Sequence, residues 1–524
     1  MLTKIKNNLI YPIIFLAIIL RFFNINSYPS LNPDEAALGY NAYSLINTGK
    51  DEHGISWPLH FKSFGDYKPG LYVYLAIPFV KFLGLNELSV RFPNLILSVL
   101  TIFFVYKLIF LLTEKKNLAA LCAFVLTINP WHLHFSRGAW ESSVALSFII
   151  IGTFYFYHYL QKKNIFSFYF FVILFSLSLY TYHSARIFAP LLALFLLSSQ
   201  LKNFKKLILP CIFGILITLP VIYSFLTSGG ATRFGGVGLT ADQGPVWRAN
   251  ELINHHHNTL IINRAMHNKR VLYALSWAQK YFSHFNFNFL FLTGDEVPRS
   301  KIPDFGQFYI FEFAVLLFGI VKISRYNHSQ LKRLLIFWII FAPLASSLTF
   351  QAPSALRSLF LVVPLSIVIA FGLYSINHNL TKYLLLTVYI FSFLFYLDNY
   401  YLHYQKRYPY AWNYGFKELI NYTESVKDKY QNIYITNKYD QPYILYLFYS
   451  KADPKNIQSQ LTLTSPDEFG FSTVKKLNQY NFDKINWDSI PKESLVVTAD
   501  ENTSANPIKE IKLGNQSIFK IYEK

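Results

Sequence analysis

Long apolar runs separated by short, lysine-bearing breaks fill the first three quarters of the chain. Runs near the roughly 20 residues that a bilayer crossing requires fall at about 8–24, 89–113, 118–134, 139–160, 165–182, 186–201, 207–226, 305–324, 333–350, 355–375 and 381–398. The pattern predicts a polytopic α-helical membrane protein with about 11 transmembrane helices. Two outer loops interrupt it, 24–88 and 227–304. Within the first, 34–47 and 69–83 read as interfacial helices; the second of these is short and contains Pro78. The longer loop opens on Gly229-Gly230 and Gly235-Gly236 and continues as helical segments around 245–285. After about residue 399 the pattern changes. Asn432–Thr436 and Ser494–Thr498 read as strands, and Trp412–Tyr430 and Gln441–Tyr449 as helices. This alternation predicts a small α/β domain over 399–524, following a membrane domain over 1–398.

Composition agrees with the pattern. The chain is 53% hydrophobic and 15% charged, against about a quarter charged in soluble proteins. The formal charge of +19 does not point to nucleic acid, because lysine and arginine concentrate in the short breaks at 114–116, 161–163, 202–206, 322–333 and 382. The positive-inside rule puts these, and the N-terminus, in the cytoplasm. The opposite side then receives both long loops and the C-terminal domain. Lys81 and Arg91 fall on that outer side and run against the assignment. The first run has no small-residue cleavage site after it, so it is read as a retained span. Cys122 and Cys211 lie in apolar runs without metal-ligand or CxxC spacing, which argues against a disulfide or zinc site.

The chemistry concentrates at Asn32-Pro-Asp-Glu35, directly after the first run. Two readings fit it. Asn32, Pro33 and Glu35 form the signature of a capping box with proline at the first helical position. Equally, adjacent carboxylates at the lip of a membrane mark a functional site. The readings are compatible, since a cap would fix Asp34 in place. The topology brings to the same outer side Asp34, Glu35, Asp66, Lys68, His132, His134, Arg137, Glu141, His183, Arg186 and Arg357. Each has a local explanation, such as an Arg137–Glu141 pair one helical turn apart. Together they suit a phosphate-bearing lipid: cations hold phosphate oxygens, and a carboxylate takes a proton from a hydroxyl. His255-His256-His257 is not a metal site by this reading, because consecutive helical residues diverge.

Several of these elements resemble the GT-C glycosyltransferases, in particular the group of dolichyl-phosphate-mannose protein mannosyltransferases and lipid A aminoarabinose transferases. The elements are Asn32-Pro-Asp-Glu35, Phe64-Gly-Asp-Tyr-Lys-Pro-Gly-Leu-Tyr72, Asn129-Pro-Trp-His-Leu-His-Phe-Ser-Arg137 with Glu141, and Ala355-Leu-Arg-Ser-Leu359 with Pro364. The resemblance covers about 1–400. It implies an inverting transfer of a sugar from a polyprenyl-phosphate donor to an acceptor hydroxyl on the extracytoplasmic face of a bacterial plasma membrane. Asp34 takes the place of the family's catalytic base, with Glu35 beside it. Lys68 takes that of the phosphate-contacting lysine, although Gly70 stands where a second proline is common. Arg137 is expected to contact the donor phosphate or anchor the carboxylates; Arg186 and Arg357 are further phosphate candidates. Asp66, Tyr67, Glu141 and His183 complete the expected substrate contacts. No cofactor is expected, and a metal-independent reaction is favoured over one using a divalent cation. The acceptor, a protein, lipid A or another cell-envelope glycan, stays open. A transporter or flippase of lipid-linked sugars, or a polymerase or ligase using a pyrophosphate donor, are the alternatives; no internal duplication supports the transporter.

Overall fold

The computed structural model describes residues 9–227, 238–255, 261–467, 470–501, 503 and 505–524. The expectations for Lys4 and Lys6, for Gly229–Gly236 and for His256 and His257 lie outside these residues. The chain forms two compact units. One comprises residues up to 21, 97–136 and 141–397; the other comprises 22–96, 137–140 and 398–524.

The first unit is helical. Among the described residues of the whole chain, Glu87–Thr113, Glu141–Lys162, Lys205–Ser224, Ser329–Ser347 and Asn379–Arg407 are long and apolar enough to cross a membrane. Ile10–Phe22, Leu71–Leu83, Lys116–Ile128, Ile165–Ser178, Ala185–Ser198 and Leu359–Tyr374 are shorter apolar helices. The structure thus has the helices of a multi-pass membrane protein. Polar punctuation shortens several of the expected spans. The run 118–134 breaks at Asn129, which ends the helix Lys116–Ile128 and caps Pro130–Phe135 by accepting the His132 N–H at 2.9 Å. Pro130 supplies no amide of its own there.

Glycine sets one close helix crossing in this unit. A Cβ on Gly319 of Glu312–Arg325 would lie 2.1 Å from the Val368 carbonyl oxygen, and one on Gly372 would lie 2.4 Å from that of Val315. The two backbones approach as small residues allow in membranes. Gly319→Ala should therefore cost about 1–3 kcal/mol by overpacking, read as a lower unfolding midpoint of the detergent-solubilised protein.

The second unit is mixed. Its first part holds the helix Pro33–Thr48, the antiparallel strands β1 (His60–Ser63) and β2 (Asp66–Pro69), and the helix Leu71–Leu83, which includes Pro78. The tail adds β3 (Asn432–Thr436), β4 (Lys476–Leu477), β5 (Tyr480–Asp483), β6 (Ser494–Thr498), β7 (Lys509–Leu513) and β8 (Gln516–Glu523). They form one sheet in the order β4-β5-β3-β6-β8-β7. Strand β3 is parallel to both β5 and β6, while β4, β8 and β7 pair antiparallel. Of the central strands, β6 is buried along its whole length, as apolar parallel strands covered on both faces are, whereas β3 buries Ile433, Ile435 and Thr436. The helices Phe416–Val426 and Pro442–Ser450 accompany them. The tail is also tied to the capped helix. Tyr40 Oη donates to the Ala452 carbonyl at 3.0 Å, and Gln458 Nε2 donates to Ser44 Oγ at 3.1 Å and Thr48 Oγ1 at 2.9 Å.

Candidate active site

The site grows from the N-terminus of Pro33–Thr48. Asn32 is the cap: its side-chain oxygen accepts the Glu35 N–H at 3.1 Å, and Glu35 Oε2 accepts the Asn32 N–H at 3.3 Å. The box leaves consecutive carboxylates facing different surroundings. Asp34 keeps about a third of its side-chain surface exposed, and Glu35 keeps 2%.

Glu35 is held by Arg91, a residue otherwise notable only as a charge in an apolar helix. Arg91 Nε donates to Glu35 Oε1 and Nη2 to Oε2, both at 2.8 Å. The same guanidinium donates to the carbonyls of Ile25 (2.8 Å), Pro29 (2.9 Å) and Ser30 (3.1 Å). Glu35 Oε1 also accepts the Ala139 N–H at 2.8 Å. Arg137 is buried too. It donates to the carbonyls of Phe23 at 2.8 Å and Tyr28 at 3.1 Å, and its guanidinium lies 5.3 and 5.2 Å from the ring centres of Tyr400 and Tyr401. Two arginines therefore grip the backbone of 23–30, the segment that leads into the cap.

Asp34 faces Lys68. The Lys68 ammonium donates to Asp34 Oδ1 and lies 5.1 Å from the centre of the Phe64 ring. Lys68 is carried by β2, opposite Phe61 of β1. Asp66 is turned to its own backbone, accepting the Tyr67 N–H at 2.7 Å. Asp34, Glu35, Asp66, Tyr67, Lys68 and Arg137 thus share one unit. Glu141, His183, Arg186 and Arg357 belong to the other. There, Arg186 donates to the Leu179 carbonyl at 3.1 Å and lies 3.3 Å from His183 Nδ1, and Arg357 donates to Thr349 Oγ1 at 2.9 Å. Glu141 begins the helix Glu141–Lys162.

Sequence reasoning passed over one further carboxylate. Glu52 is wholly buried between Asp51 and His53, and its N–H donates to Asn41 Oδ1 at 3.0 Å. Neither of its carboxylate oxygens has a hydrogen-bond partner among the described residues. Burial pushes its pKa up to about 8; the neighbouring Asp51 adds to this, while the charge of Lys68 opposes it. Burial likewise lowers His53 to about 4. A TGKDEHG run shows two acids but not their burial, so the signal was absent from the sequence. Among the described residues, no group of three His, Cys, Asp or Glu side chains is placed to hold a metal ion.

Two expectations follow from this geometry. Arg91→Leu should cost about 3–5 kcal/mol, because it leaves Glu35 a buried and uncompensated charge; thermal unfolding in detergent reads the loss, and pairing it with Glu35→Leu should recover part of it. For Glu52, the unfolded acid titrates near its ordinary value of 4.5 and the folded one near 8. Between these values the folded state binds the extra proton, so its contribution to stability falls as pH rises and levels off above about 8. Glu52→Gln should flatten this slope, with its advantage in unfolding midpoint growing from pH 5 to pH 8.

Comparison with known proteins adds a family match over part of the chain and a likeness of fold. Residues 67–226 match the family model described as dolichyl-phosphate-mannose-protein mannosyltransferase. No curated protein sequence matches the chain. Among solved structures, ArnT from Cupriavidus metallidurans bound to undecaprenyl phosphate is similar, at 11% identity and a TM-score of 0.54 over 98% of this chain and 97% of that one. The apo state of the same protein gives 12% identity and a TM-score of 0.51 over 84% of each chain. At such identities the likeness is one of fold.

Proposed function

We propose, from the premise that this chain is a GT-C-type membrane protein of the mannosyltransferase- and ArnT-like group, that it is an inverting glycosyltransferase. It takes a sugar from a polyprenyl-phosphate donor and passes it to an acceptor hydroxyl on the extracytoplasmic face. The observation that carries this reading is the division of labour between neighbouring carboxylates. Glu35 is locked by Arg91, while Asp34 stands part-exposed with a lysine at its oxygen.

In this reading Asp34 is the general base. It accepts the proton of the acceptor hydroxyl as that oxygen bonds to the anomeric carbon. The bond from that carbon to the phosphate oxygen breaks, and the polyprenyl phosphate leaves with the electron pair. Lys68 stabilises the charge that develops on the leaving phosphate. The ammonium is shared: before the donor arrives it pairs with Asp34, and a phosphate beside it competes for its protons. Withdrawal of Lys68 raises the proton affinity of Asp34, since an adjacent cation favours the ionised acid. The base is thus strengthened by the arrival of the donor. Glu35, Arg91 and Arg137 are positioning residues that fix the cap and the segment before it. Arg186 and Arg357 remain further candidate phosphate contacts, and Glu141 and His183 further candidate substrate contacts. The fixed cation takes the role a divalent metal would serve at phosphate.

The test uses purified protein in nanodiscs with a panel of radiolabelled polyprenyl-phosphate sugars and a cell-envelope acceptor extract. Acceptor-dependent release of sugar is expected from one donor. Asp34→Asn should lower turnover about 10²–10⁴-fold, the usual span of general-base assistance, while keeping the wild-type unfolding midpoint. Near-normal turnover in that variant would remove Asp34 as base. Turnover should also survive a chelator such as EDTA; its loss, restored by added divalent cation, would replace Lys68 with a metal in this scheme.

A further inference from the structure

The strands β1 and β2 are joined by Phe64 and Gly65 alone, and both have left-handed backbones, φ +57° and +84°. That is the geometry of a two-residue hairpin turn whose twist matches its strands. Glycine accepts it readily. A phenylalanine there is uncommon, and such a conformation persists where the surroundings over-determine it.

The surroundings come from the C-terminal tail. The Ser472 N–H donates to the Phe64 carbonyl at 2.9 Å. A Cβ on Gly65 would lie 2.9 Å from Ser472 Oγ, so the turn is seated directly on that residue. The Ser472 carbonyl in turn accepts from Gln441 Nε2 at 3.3 Å. The Phe64 ring meets Tyr443 edge-on, with centroids 6.1 Å apart and planes at 81°. Gln441 and Tyr443 lie just beyond the carboxyl end of β3, between β5 and β6, where successive connections leave in opposite directions. Open α/β sheets commonly take their ligands at that position. Here the tail uses it to seat a hairpin.

What the hairpin presents is Lys68. A lysine has a flexible four-carbon stem and a compact charge, and here two groups fix its end: the Asp34 carboxylate, and the face of Phe64 at 5.1 Å. We infer that Phe64, seated by Ser472 and Tyr443, is a positioning residue that makes the C-terminal tail responsible for where the Lys68 ammonium stands. This rests on the reading of Lys68 as the donor-phosphate contact. It gives the tail a role in donor recognition, separate from any acceptor docking.

The test uses the full chain in detergent, titrated with undecaprenyl phosphate, and in parallel the turnover assay with the active donor. Phe64→Leu keeps an apolar side chain and removes the aromatic face. It should weaken undecaprenyl phosphate binding, and raise the donor KM, about three- to tenfold, the range of a partly desolvated cation–π contact. Its kcat should fall as well, by less than in Asp34→Asn, because Lys68 also stabilises the leaving phosphate, and Phe64→Tyr should restore the wild-type values. Phe64→Met answers the same question should the leucine variant fail to purify. Lys68→Ala runs alongside. If it binds the lipid as the wild type does, the reading of Lys68 fails. If Lys68→Ala weakens binding while Phe64→Leu and Phe64→Met do not, the role of Phe64 is overturned and the donor reading stands. A loss of unfolding midpoint and kcat with donor KM unchanged would likewise overturn it, leaving Phe64 a purely structural residue.

Discussion

The buried pair of Glu35 and Arg91 is the constraint on which the site depends. Burying an arginine and a glutamate is costly, and their mutual attraction offsets the cost only when geometry and remaining hydrogen bonds are good. Here the contact is bidentate, and the guanidinium also reaches three backbone carbonyls. The carboxylate serves three neighbours in turn: Arg91, the Asn32 cap and the Ala139 amide. One ion pair thereby joins the helix Glu87–Thr113, the segment 25–30, the residues before Glu141, and the first turn of Pro33–Thr48. Asp34 is one residue from that junction and inherits its rigidity.

What was legible in the sequence follows the range of the interaction. The capping box could be read because Asn32, Pro33 and Glu35 lie within four positions. Apolar runs marked the helices, since burial or lipid exposure along a helix needs only composition. Strand Asn432–Thr436 was legible from its alternation, with Ile433 and Ile435 buried, and Ser494–Thr498 from its short apolar run, which is buried throughout. Strands β5, β7 and β8 were not, because Asn481, Glu510, Lys512 and Lys520 interrupt them as solvent-facing positions do. The partner of Glu35 was illegible for a different reason. Arg91 is 56 positions away, and a charge in an apolar helix shows its cost but not its partner. It counted against the membrane orientation when its structural role is to hold the carboxylate.

The tail illustrates how a small α/β sheet can be put to local use without any recognisable motif. It carries no phosphate loop, and its sheet is small. Its reach comes from placement: Gln458 holds the far end of the capped helix, Tyr443 and Ser472 hold the hairpin, and Lys417 pairs with Glu87 at 2.9 Å. The two segments that carry Asp34 and Lys68 are both braced by it. Neither brace is visible from spacing, because each joins residues some 370–410 positions apart.

The electrostatics of the pair then explain why both braces matter. Asp34 sits in the first turn of a helix, where the dipole favours the anion and weakens the base. Lys68 beside it acts in the same direction. A carboxylate so stabilised is a poor proton acceptor unless one of the two influences can be withdrawn. The helix dipole is fixed by the cap and by Glu35–Arg91. In the proposed reaction only the lysine is diverted, by the donor phosphate. For the proposed reaction this couples two requirements in one side chain: Lys68 must lie close enough to Asp34 to hold it idle, and close enough to the donor to leave it. A lysine free to wander on its stem would satisfy neither reliably. The hairpin turn, the Phe64 face and the seat beneath them hold it beside Asp34.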